Sequence, residues 1–508
     1  MKKMKRAVVL LLAAAMAGSA LAGCGGGGAA ESSKTPASTP ESSAAAPSGE
    51  VVTLKVWGFV DGQPKTEDVN EVAEAVSKIT RDKIGAEVEL TRSNDPQKLN
   101  LALTAGEKWD LTCYHGYPGG LASLVANGLA TPLDDLLANY GKDIPSVVSE
   151  TEMKADRFNG VLYALPNQKD NAAGTAFAMR RDVLSEIGVD ESTIKDWNDI
   201  HEVLQKVKEA RPDLYPMVSS WGGGGMSTPI AKDDLGNSLG VLDLSADPKS
   251  TTVVNYFATD AYREFCERMY QWNQEGLIMP DITSATEFNL LGTVGFSILT
   301  GTKPGKHQEC INAYGVDCAL IELVAPYRCN GNIQGSSFII PTTSEHPEQA
   351  MALWNLMYTD VEVSNLFING IEGKHWVYTD DTKTFITVPE GVDTTASPYP
   401  SQEWAWPNQR ITPPYAGNDA DVWQQMQTFC DEALPSPALG FSYDNSNVLN
   451  EETACQNVVS KYDLGLRWGI LNPTETIPQF ISELEAAGIN TIITDKQAQM
   501  DAWLKAIS

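Results

Sequence analysis

The stretch VVTLKVWGF at residues 51–59 has the β-branched and aromatic residues that are typical of a buried strand. The residues after it have the spacing of an amphipathic helix that ends at Gly85, and residues 86–90 form a second strand-like run. The apolar residues on the predicted helix face are Val69, Val72, Val76 and Ile79. A strand, a helix and a strand in this order predict a parallel βαβ unit.

The same alternation continues along the chain. Asp95 and Pro96 are residue types of a helix N-cap and first helical position, and they predict a helix that ends near Gly106. Residues 111–114 are predicted to form a third strand, followed by a short helix at residues 121–125. Ligands of open parallel sheets bind beyond the carboxyl ends of the strands, so functional residues are expected there.

A second series of elements follows Pro166. Residues 175–179 and 214–219 are predicted strands, and the helix between them that starts at Asp196 has an N-cap residue. Residues 163–167 form an extended connection between the two series. The sequence therefore predicts an α/β fold with two lobes that face a cleft, each lobe being an α/β unit.

The N-terminus has the organisation of a secretory signal. A basic segment is followed by an apolar run at residues 7–20, which is too short to span a membrane, and no later stretch reaches about 20 apolar residues. Leu21, Ala22, Gly23 and Cys24 resemble a bacterial lipobox. The resemblance implies that residues 1–23 are a lipoprotein signal peptide and that Cys24 carries the acyl chains, palmitate among them, which hold the protein on a membrane.

Residues 24–50 contain no aromatic or large aliphatic side chain, and a segment of this composition is expected to be a flexible linker. A formal net charge of −29 disfavours binding to nucleic acid or to an anionic lipid surface. Apart from Cys24 there are seven cysteines, an odd number. One disulfide among Cys310, Cys318 and Cys329 is compatible with their spacing, but buried free thiols are the preferred interpretation.

Several segments occur in the order known from one protein family. They are WDLTCY at residues 109–114, the run from Gly119 to Leu133, and the glycine, strand and helix pattern from Gly331 to Ala350. In this order they resemble extracellular solute-binding proteins of the maltose-binding class, family 1. NGIEGKHW at residues 369–376 and the tail from Leu439 to Trp503 are similar to a lipoprotein subgroup with a C-terminal domain of unknown function.

The resemblance implies a periplasmic-binding-protein-like fold of type II, with two lobes, a hinge and an interlobe cleft. The implied first lobe consists of residues 51–165 and 285–342. The implied second lobe consists of residues 168–284 and 343–508, and its part from about residue 430 is the subgroup-specific domain. The lobes are expected to close on a solute and to deliver it to the transmembrane subunits of an ABC permease.

Carbohydrate binding needs aromatic faces against the C–H side of a sugar ring and carboxylates or amides against its hydroxyl groups. The first and third predicted strands end in residues of these types. The predicted ligand-binding residues there are Trp57, Phe59, Asp61, Tyr114, His115 and Tyr117. The family resemblance places Tyr114 where a sugar-stacking aromatic is found. Packing of these rings beneath the loops is the structural alternative.

Further candidates follow the second series of elements. Trp221 precedes the glycines at 222–225, which permit close approach of a ligand to the backbone. Trp404 and Trp406 lie in the proline-bounded segment SQEWAWPNQR, and Asn167 lies on the connection between the lobes. All four are predicted to bind the ligand.

Other chemistries have no matching pattern. Residues 301–307 lack the spacing and the Ser or Thr of a phosphate loop, the five histidines are scattered, and no Gly-x-Ser-x-Gly occurs. The prediction is a monomeric lipoprotein at the extracellular face of a bacterial membrane, which captures an oligosaccharide for an ABC transporter without enzymatic activity, metal or cofactor. A surface glycoside hydrolase, a sensor or adhesion lipoprotein, and a binder of peptides or other solutes remain alternatives.

Overall fold

A computed structural model describes residues 50–392 and 397–507. The predicted signal peptide, the lipidated Cys24 and the linker up to residue 49 lie outside the described residues. All described residues belong to one unit of the chain, residues 46–508.

Strands and helices alternate along most of the chain. In chain order the strands are β1 Val52–Gly58, β2 Ala86–Arg92, β3 Leu111–Cys113, β4 Arg157–Phe158, β5 Val161–Leu162, β6 Ala173–Arg180, β7 Tyr215–Met217, β8 Lys232–Asp233, β9 Val241–Asp243, β10 Val253–Val254, β11 Gly295–Thr302, β12 Cys318–Arg328, β13 Phe338–Ile339, β14 Val377–Tyr378, β15 Ile386–Thr387 and β16 Leu434–Pro435. The α-helices are α1 Thr66–Ile84, α2 Pro96–Thr104, α3 Gly120–Ala126, α4 Asp134–Tyr140, α5 Glu150–Met153, α6 Arg181–Glu186, α7 Trp197–Ala210, α8 Asp260–Gln274, α9 Leu290–Thr293, α10 Lys306–Tyr314, α11 Asn330–Gln334, α12 Pro347–Thr359, α13 Val361–Asn369, α14 Val422–Glu432, α15 Leu449–Arg467, α16 Pro473–Ala487 and α17 Ile489–Ile507.

The first lobe contains a four-stranded sheet in the order β13-β3-β1-β2. Strand β1 is parallel to both β2 and β3, as the alternation of strands and helices predicts. Helix α1 ends at Gly85, whose φ of 66° is the left-handed conformation that glycine adopts readily. The side chain of Asp95 accepts a hydrogen bond from the backbone N of Lys98 at 3.0 Å, so the predicted N-cap of α2 is confirmed.

The second lobe contains a five-stranded sheet in the order β16-β12-β6-β11-β7. Strand β6 is antiparallel to both of its neighbours, β11 and β12, whereas β11 is parallel to β7, so this sheet is mixed. Both neighbours lie more than 100 residues after β6 in the chain. Local periodicity shows that a strand exists but does not specify a partner so distant in sequence.

The lobe boundaries differ from the expected ones for the same reason. Strands β11 and β12 fall in the segment 285–342 that was expected in the first lobe, yet they are hydrogen-bonded to β6 of the second lobe. Helices α12 and α13 were expected in the second lobe, but Trp354 and Phe367 on these helices pack in the core of the first lobe together with Trp406. Long-range pairing and packing decide both assignments.

The connections between the lobes are hydrogen-bonded to one another. The side-chain amide of Asn167 donates to the carbonyl of Ser336 at 2.9 Å and to the carbonyl of Trp404 at 3.1 Å. The backbone N of Gln168 donates to the carbonyl of Pro407 at 2.7 Å. These bonds bring together three segments that lead from one lobe to the other, which is the arrangement of a hinge.

The C-terminal helices α15, α16 and α17 belong to the second lobe, where their apolar residues share its core. The fully buried Lys496 of α17 binds the loop of residues 234–240 to this helix through hydrogen bonds. Its Nζ donates to Asn237 Oδ1 at 2.8 Å and lies 3.1 Å from the carbonyl oxygen of Asn237, 2.9 Å from that of Gly240 and 3.4 Å from that of Asp234.

The seven cysteines within the described residues are buried and unpaired, as the preferred interpretation predicts. None of the described helices combines the length and the apolar character that a membrane crossing requires.

Candidate functional site

Three aromatic side chains meet at the carboxyl edge of the first sheet. Phe59 follows β1, His115 follows β3, and Trp404 lies in the short 3-10 helix Glu403–Ala405. The ring centroids are 4.5 Å apart for Phe59 and His115, 5.3 Å for Phe59 and Trp404, and 4.9 Å for His115 and Trp404. All three rings are partly exposed. We call these residues the first-lobe aromatic cluster.

A carboxylate borders the first-lobe aromatic cluster. The backbone N of Asp61 donates to Gln402 Oε1 at 3.0 Å, and Gln402 Nε2 donates to Asp61 Oδ2 at 3.3 Å. Asp61 is exposed, whereas Gln402 is buried. The pair of bonds ties the loop after β1 to the turn that carries Trp404 and leaves a carboxylate oxygen accessible beside the rings.

Other predicted ligand-binding residues are buried in the core. Trp57 packs at right angles to Trp109 with 5.2 Å between centroids, and Trp406 stacks on Phe367 at 5.0 Å. The hydroxyl group of Tyr117 donates to Asn100 Oδ1 at 2.7 Å. The side chains with almost no exposed surface are Trp57, Tyr114, Tyr117, Asn167 and Trp406. These residues support the edge of the sheet from below, and a ligand outside the core does not reach their faces in this structure.

A buried polar cluster lies under the rings of the first lobe. It consists of the hydroxyl groups of Tyr114 and Ser337 and the carboxylate of Asp156, and none of these groups makes a hydrogen bond of normal geometry. Burial raises the pKa of Asp156 to about 8, although the neighbouring Ser337 opposes this shift. Burial and the nearby Asp156 likewise raise the pKa of Tyr114 well above its ordinary value. Asp156 is therefore uncharged at neutral pH.

The second lobe presents two exposed aromatic residues at the corresponding edge. Trp221 is 45% exposed and follows β7, and Phe288 is 73% exposed on a neighbouring loop. The backbone N of Gly223 donates to the carbonyl of Ala285 at 2.6 Å, so the two loops run side by side. We call Trp221 and Phe288 the second-lobe aromatic pair. Phe288 escaped prediction because it is a single aromatic residue in a polar stretch.

A group of charged side chains lies at the end of β11, near the segment that carries Trp404. Lys303 directly follows β11, and its Nζ is 3.1 Å from Asp170 Oδ2 and 3.2 Å from Glu309 Oε2. Burial alone raises the pKa of Asp170, but the ammonium groups of Lys303 and Lys169 lower it well below the usual range. Lys303 therefore has its charge balanced by carboxylates of its own lobe.

Glu403 lies close to both the charged group and the first-lobe aromatic cluster. It precedes Trp404 in the chain, and the charge of Lys303 acts on its carboxylate. Its Oε1 is buried without a hydrogen-bond partner. Burial raises the pKa of Glu403 to about 7, while the charge of Lys303 acts in the opposite direction. Sequence reasoning missed Glu403, Lys303 and Asp170, since none of them belongs to a recognisable motif.

Two surface cavities lie elsewhere on the second lobe. One has a volume of about 510 Å³ and is lined by residues that include Arg181, His307 and Cys318, and the other has a volume of about 680 Å³. Neither shares a lining residue with the aromatic surfaces. Within residues 50–392 and 397–507, no group of three His, Cys, Asp or Glu side chains could hold a metal ion.

Two lobes joined by a hydrogen-bonded hinge, each with exposed aromatic residues near strand ends, are the features of a two-lobed solute-binding protein. Comparisons with known proteins agree: residues 74–368 match the family model of the bacterial extracellular solute-binding protein, and residues 437–505 match a domain of unknown function, DUF3502. The chain belongs to the family of bacterial extracellular solute-binding proteins. The predicted family and the two-lobed fold are therefore confirmed.

Individual relatives extend this similarity over nearly the whole chain. A carbohydrate ABC transporter substrate-binding protein of Streptococcus pneumoniae serotype 4 is 25% identical over 475 residues, which are 91% of this chain and 93% of the relative. The crystal structure of the N-glycan transport solute binding protein from Streptococcus pneumoniae has a TM-score of 0.79 at 23% identity and covers 90% of this chain and 100% of that chain.

An HMO binding, ABC-transporter associated solute-binding protein from Bifidobacterium longum infantis is similar in fold. It has a TM-score of 0.62 at 18% identity, and the match covers 90% of this chain and 99% of that chain. At these identities the solved structures establish the fold of this chain.

Proposed function

We propose that the protein captures an oligosaccharide outside the cell and delivers it to the permease of an ABC importer. The carrying observation is that each lobe presents exposed aromatic residues near the carboxyl ends of its strands, Phe59, His115 and Trp404 on one lobe and Trp221 and Phe288 on the other. Aromatic faces bind the C–H side of pyranose rings through dispersion and the hydrophobic effect. The named carbohydrate function of the relative supports the same class of ligand.

The polar groups near the first-lobe aromatic cluster suit the hydroxyl groups of a sugar. Asp61 offers an exposed carboxylate beside the rings, and the Lys303, Asp170 and Glu309 group offers acceptors and donors whose charges balance. Closure of the lobes removes water from these groups and strengthens each hydrogen bond that the ligand completes. Aromatic residues on both lobes allow more than one sugar ring to be stacked, which favours a ligand of several sugar units.

The N-terminal sequence supports anchoring at the outer face of the membrane. Two acyl chains at Cys24 would give stable attachment, because one chain alone binds a membrane only marginally. The linker up to residue 50 would allow a reach of roughly 25–30 Å from the surface. The protein acts as a monomer in this proposal and passes its ligand to the transmembrane subunits without altering it.

The proposal is tested by calorimetric titration of the protein lacking residues 1–24 with neutral oligosaccharides, acidic oligosaccharides, peptides and polyamines. We expect saturable binding of one oligosaccharide class and a rise in melting temperature with its concentration. The same oligosaccharide, incubated overnight with the protein, should be recovered intact by chromatography. Binding of peptides alone would contradict the ligand class, and hydrolysis of the oligosaccharide would contradict the transport role.

A further inference from the structure

We propose that the C-terminal domain, residues 437–505, positions the loop that carries Trp221, and that Trp468 is the positioning residue. The inference rests on the proposed function only in taking Trp221 as a ligand contact. It gives the domain of unknown function a defined role, namely support of the ligand-contacting loop of the second lobe.

Trp468 lies at the C-terminal end of α15 and is fully buried. Its indole Nε1 donates a hydrogen bond of 2.6 Å to the carbonyl of Gly224. Its own carbonyl accepts a bond of 3.0 Å from Asn273 Nδ2 on α8, which fixes the end of α15 on the second lobe. The C-terminal domain therefore reaches the glycine loop directly, through one buried side chain.

The glycine loop has no room for side chains on its buried side. A Cβ atom on Gly224 would lie 2.9 Å from Trp468 Nε1 and 3.2 Å from Thr283 Cα, and one on Gly222 would lie 3.0 Å from the carbonyl oxygen of Thr286. A Cβ atom on Gly225 would collide with the indole ring of Trp221. The ring of Trp221 thus lies across a backbone that is held between residues 283–286 and Trp468.

An exposed tryptophan on a glycine-rich loop would ordinarily be mobile, because glycine leaves the backbone many conformations. This loop has a hydrogen bond from Trp468 behind it, one between Gly223 N and the carbonyl of Ala285, and one between Gly225 N and the carbonyl of Trp221. Ordering the loop before the ligand arrives lowers the entropy cost of binding. Trp468 acts on affinity through Trp221 and does not itself contact the ligand.

The test compares Trp468→Phe with Trp354→Phe. Both tryptophans are fully buried, but the indole N–H of Trp354 has no acceptor within normal hydrogen-bond geometry, so its replacement removes the same atoms without removing such a bond. Hydrogen–deuterium exchange of the peptide that spans residues 220–226 is measured together with the dissociation constant for the bound oligosaccharide. We expect Trp468→Phe alone to accelerate exchange at Gly223 and Gly225 and to weaken binding about twofold to fourfold, which is less than the loss of Trp221 itself.

A second pair of variants tests the same contact in case Trp468→Phe does not fold. Gly223 and Gly224 have almost the same backbone conformation, with φ of 72° and 73°, but a Cβ atom meets Trp468 only at Gly224. Gly224→Ala should therefore accelerate exchange in the loop and weaken binding more than Gly223→Ala does, since both share the cost of the left-handed conformation.

The two proposals fail in different ways. Exchange in residues 220–226 that stays at the wild-type rate in both Trp468→Phe and Gly224→Ala would overturn the positioning role, whether or not a sugar binds. Altered exchange with unchanged affinity would overturn the link from Trp468 to the ligand. A wild-type protein that binds no oligosaccharide would contradict the proposed function, while the exchange measurement still decides whether Trp468 holds the loop.

Discussion

The two aromatic surfaces are built in different ways. In the first lobe Phe59, His115 and Trp404 contact one another, and each ring is partly covered by the other two. In the second lobe Trp221 and Phe288 are far more exposed, and the support of Trp221 comes from Trp468 at the end of α15, behind its loop. A binding surface can be made rigid either by contacts among its own side chains or by a buried residue behind the loop that carries it.

This difference predicts different responses to substitution. A cluster that supports itself loses shape when one of its rings is removed. Trp221 can be removed with little effect on its neighbours, because no other ring among the described residues packs against it. Its position depends instead on Trp468, which does not contact the ligand. The following changes separate the two cases, beginning with the largest expected effect.

Asp156→Asn probes the buried polar cluster under the first-lobe rings. The folded-state pKa of about 8 lies above the ordinary value near 4, so the folded protein retains a proton that the unfolded chain loses. Wild-type stability should fall as pH rises from about 4 to about 8, and the uncharged amide removes this loss. We expect a gain of roughly 5 kcal/mol in the free energy of unfolding at pH 8 and almost none at pH 4.

Denaturant unfolding at pH 4, 6 and 8 measures this effect. Asp134→Asn is a control of opposite sign, because the pKa of Asp134 is lowered: burial raises it, but Arg157 and the backbone N of Leu162 more than reverse this. Equal denaturation midpoints of Asp156→Asn and wild type at pH 8 would show that the carboxyl group is not held in its neutral form.

Trp404→Ala and Trp221→Ala compare the two aromatic surfaces directly. We expect Trp404→Ala to weaken oligosaccharide binding by about 2–3 kcal/mol, since Phe59 and His115 lose a packing partner together with the ring. Trp221→Ala should cost about 1 kcal/mol, because its removal leaves the supporting loop in place. Calorimetric titration measures both, with Trp503→Ala, a partly buried tryptophan near Phe441, as the control. A larger loss for Trp221→Ala would reverse the ranking of the surfaces.

Glu403→Gln tests the point where the charged region meets the first-lobe aromatic cluster. Its folded-state pKa of about 7 is raised above the ordinary value, so wild-type stability should decline as pH rises from about 4.5 to about 7. Because the side chain is partly exposed and Lys303 offsets the burial, we expect the variant to gain only about 1 kcal/mol above pH 7. Melting temperatures at pH 5 and pH 8 check this; a variant less stable than wild type at pH 8 would indicate that Glu403 is charged and paired.

Local sequence patterns predicted the first sheet because its βαβ unit joins strands that are close in the chain. The antiparallel position of β6 was not predictable, since its partners β11 and β12 are selected by pairing over long distances. The rule that ligands bind at strand ends located Phe59 and His115, and the exposed-loop argument located Trp404. The strand-end rule did not distinguish Phe59 and His115 from Trp57 and Tyr114. Trp57 precedes Phe59 by two residues, Tyr114 precedes His115 by one, and both are buried.

Functional residues that lie outside any motif were not identified from the sequence. Asp156, Glu403 and Trp468 carry no motif, and each gains its role from neighbours that are 100 or more residues away in the chain. A buried carboxylate or indole is visible only when the packing around it is known. Lobe boundaries failed for a related reason, because strand count and order do not reveal which sheet a strand joins.

The surroundings of Lys496 have a consequence for the working conditions of the protein. Burial lowers the pKa of Lys496 to about 7, although the nearby carboxylates of Glu452, Asp234 and Asp233 oppose this shift. The oxygen atoms of residues 234–240 therefore surround an amine that loses its proton near neutral pH in the folded protein. Because the unfolded chain keeps this proton up to a pH of about 10, the packing of α17 against the loop should gain stability as the pH rises from about 7 to about 10.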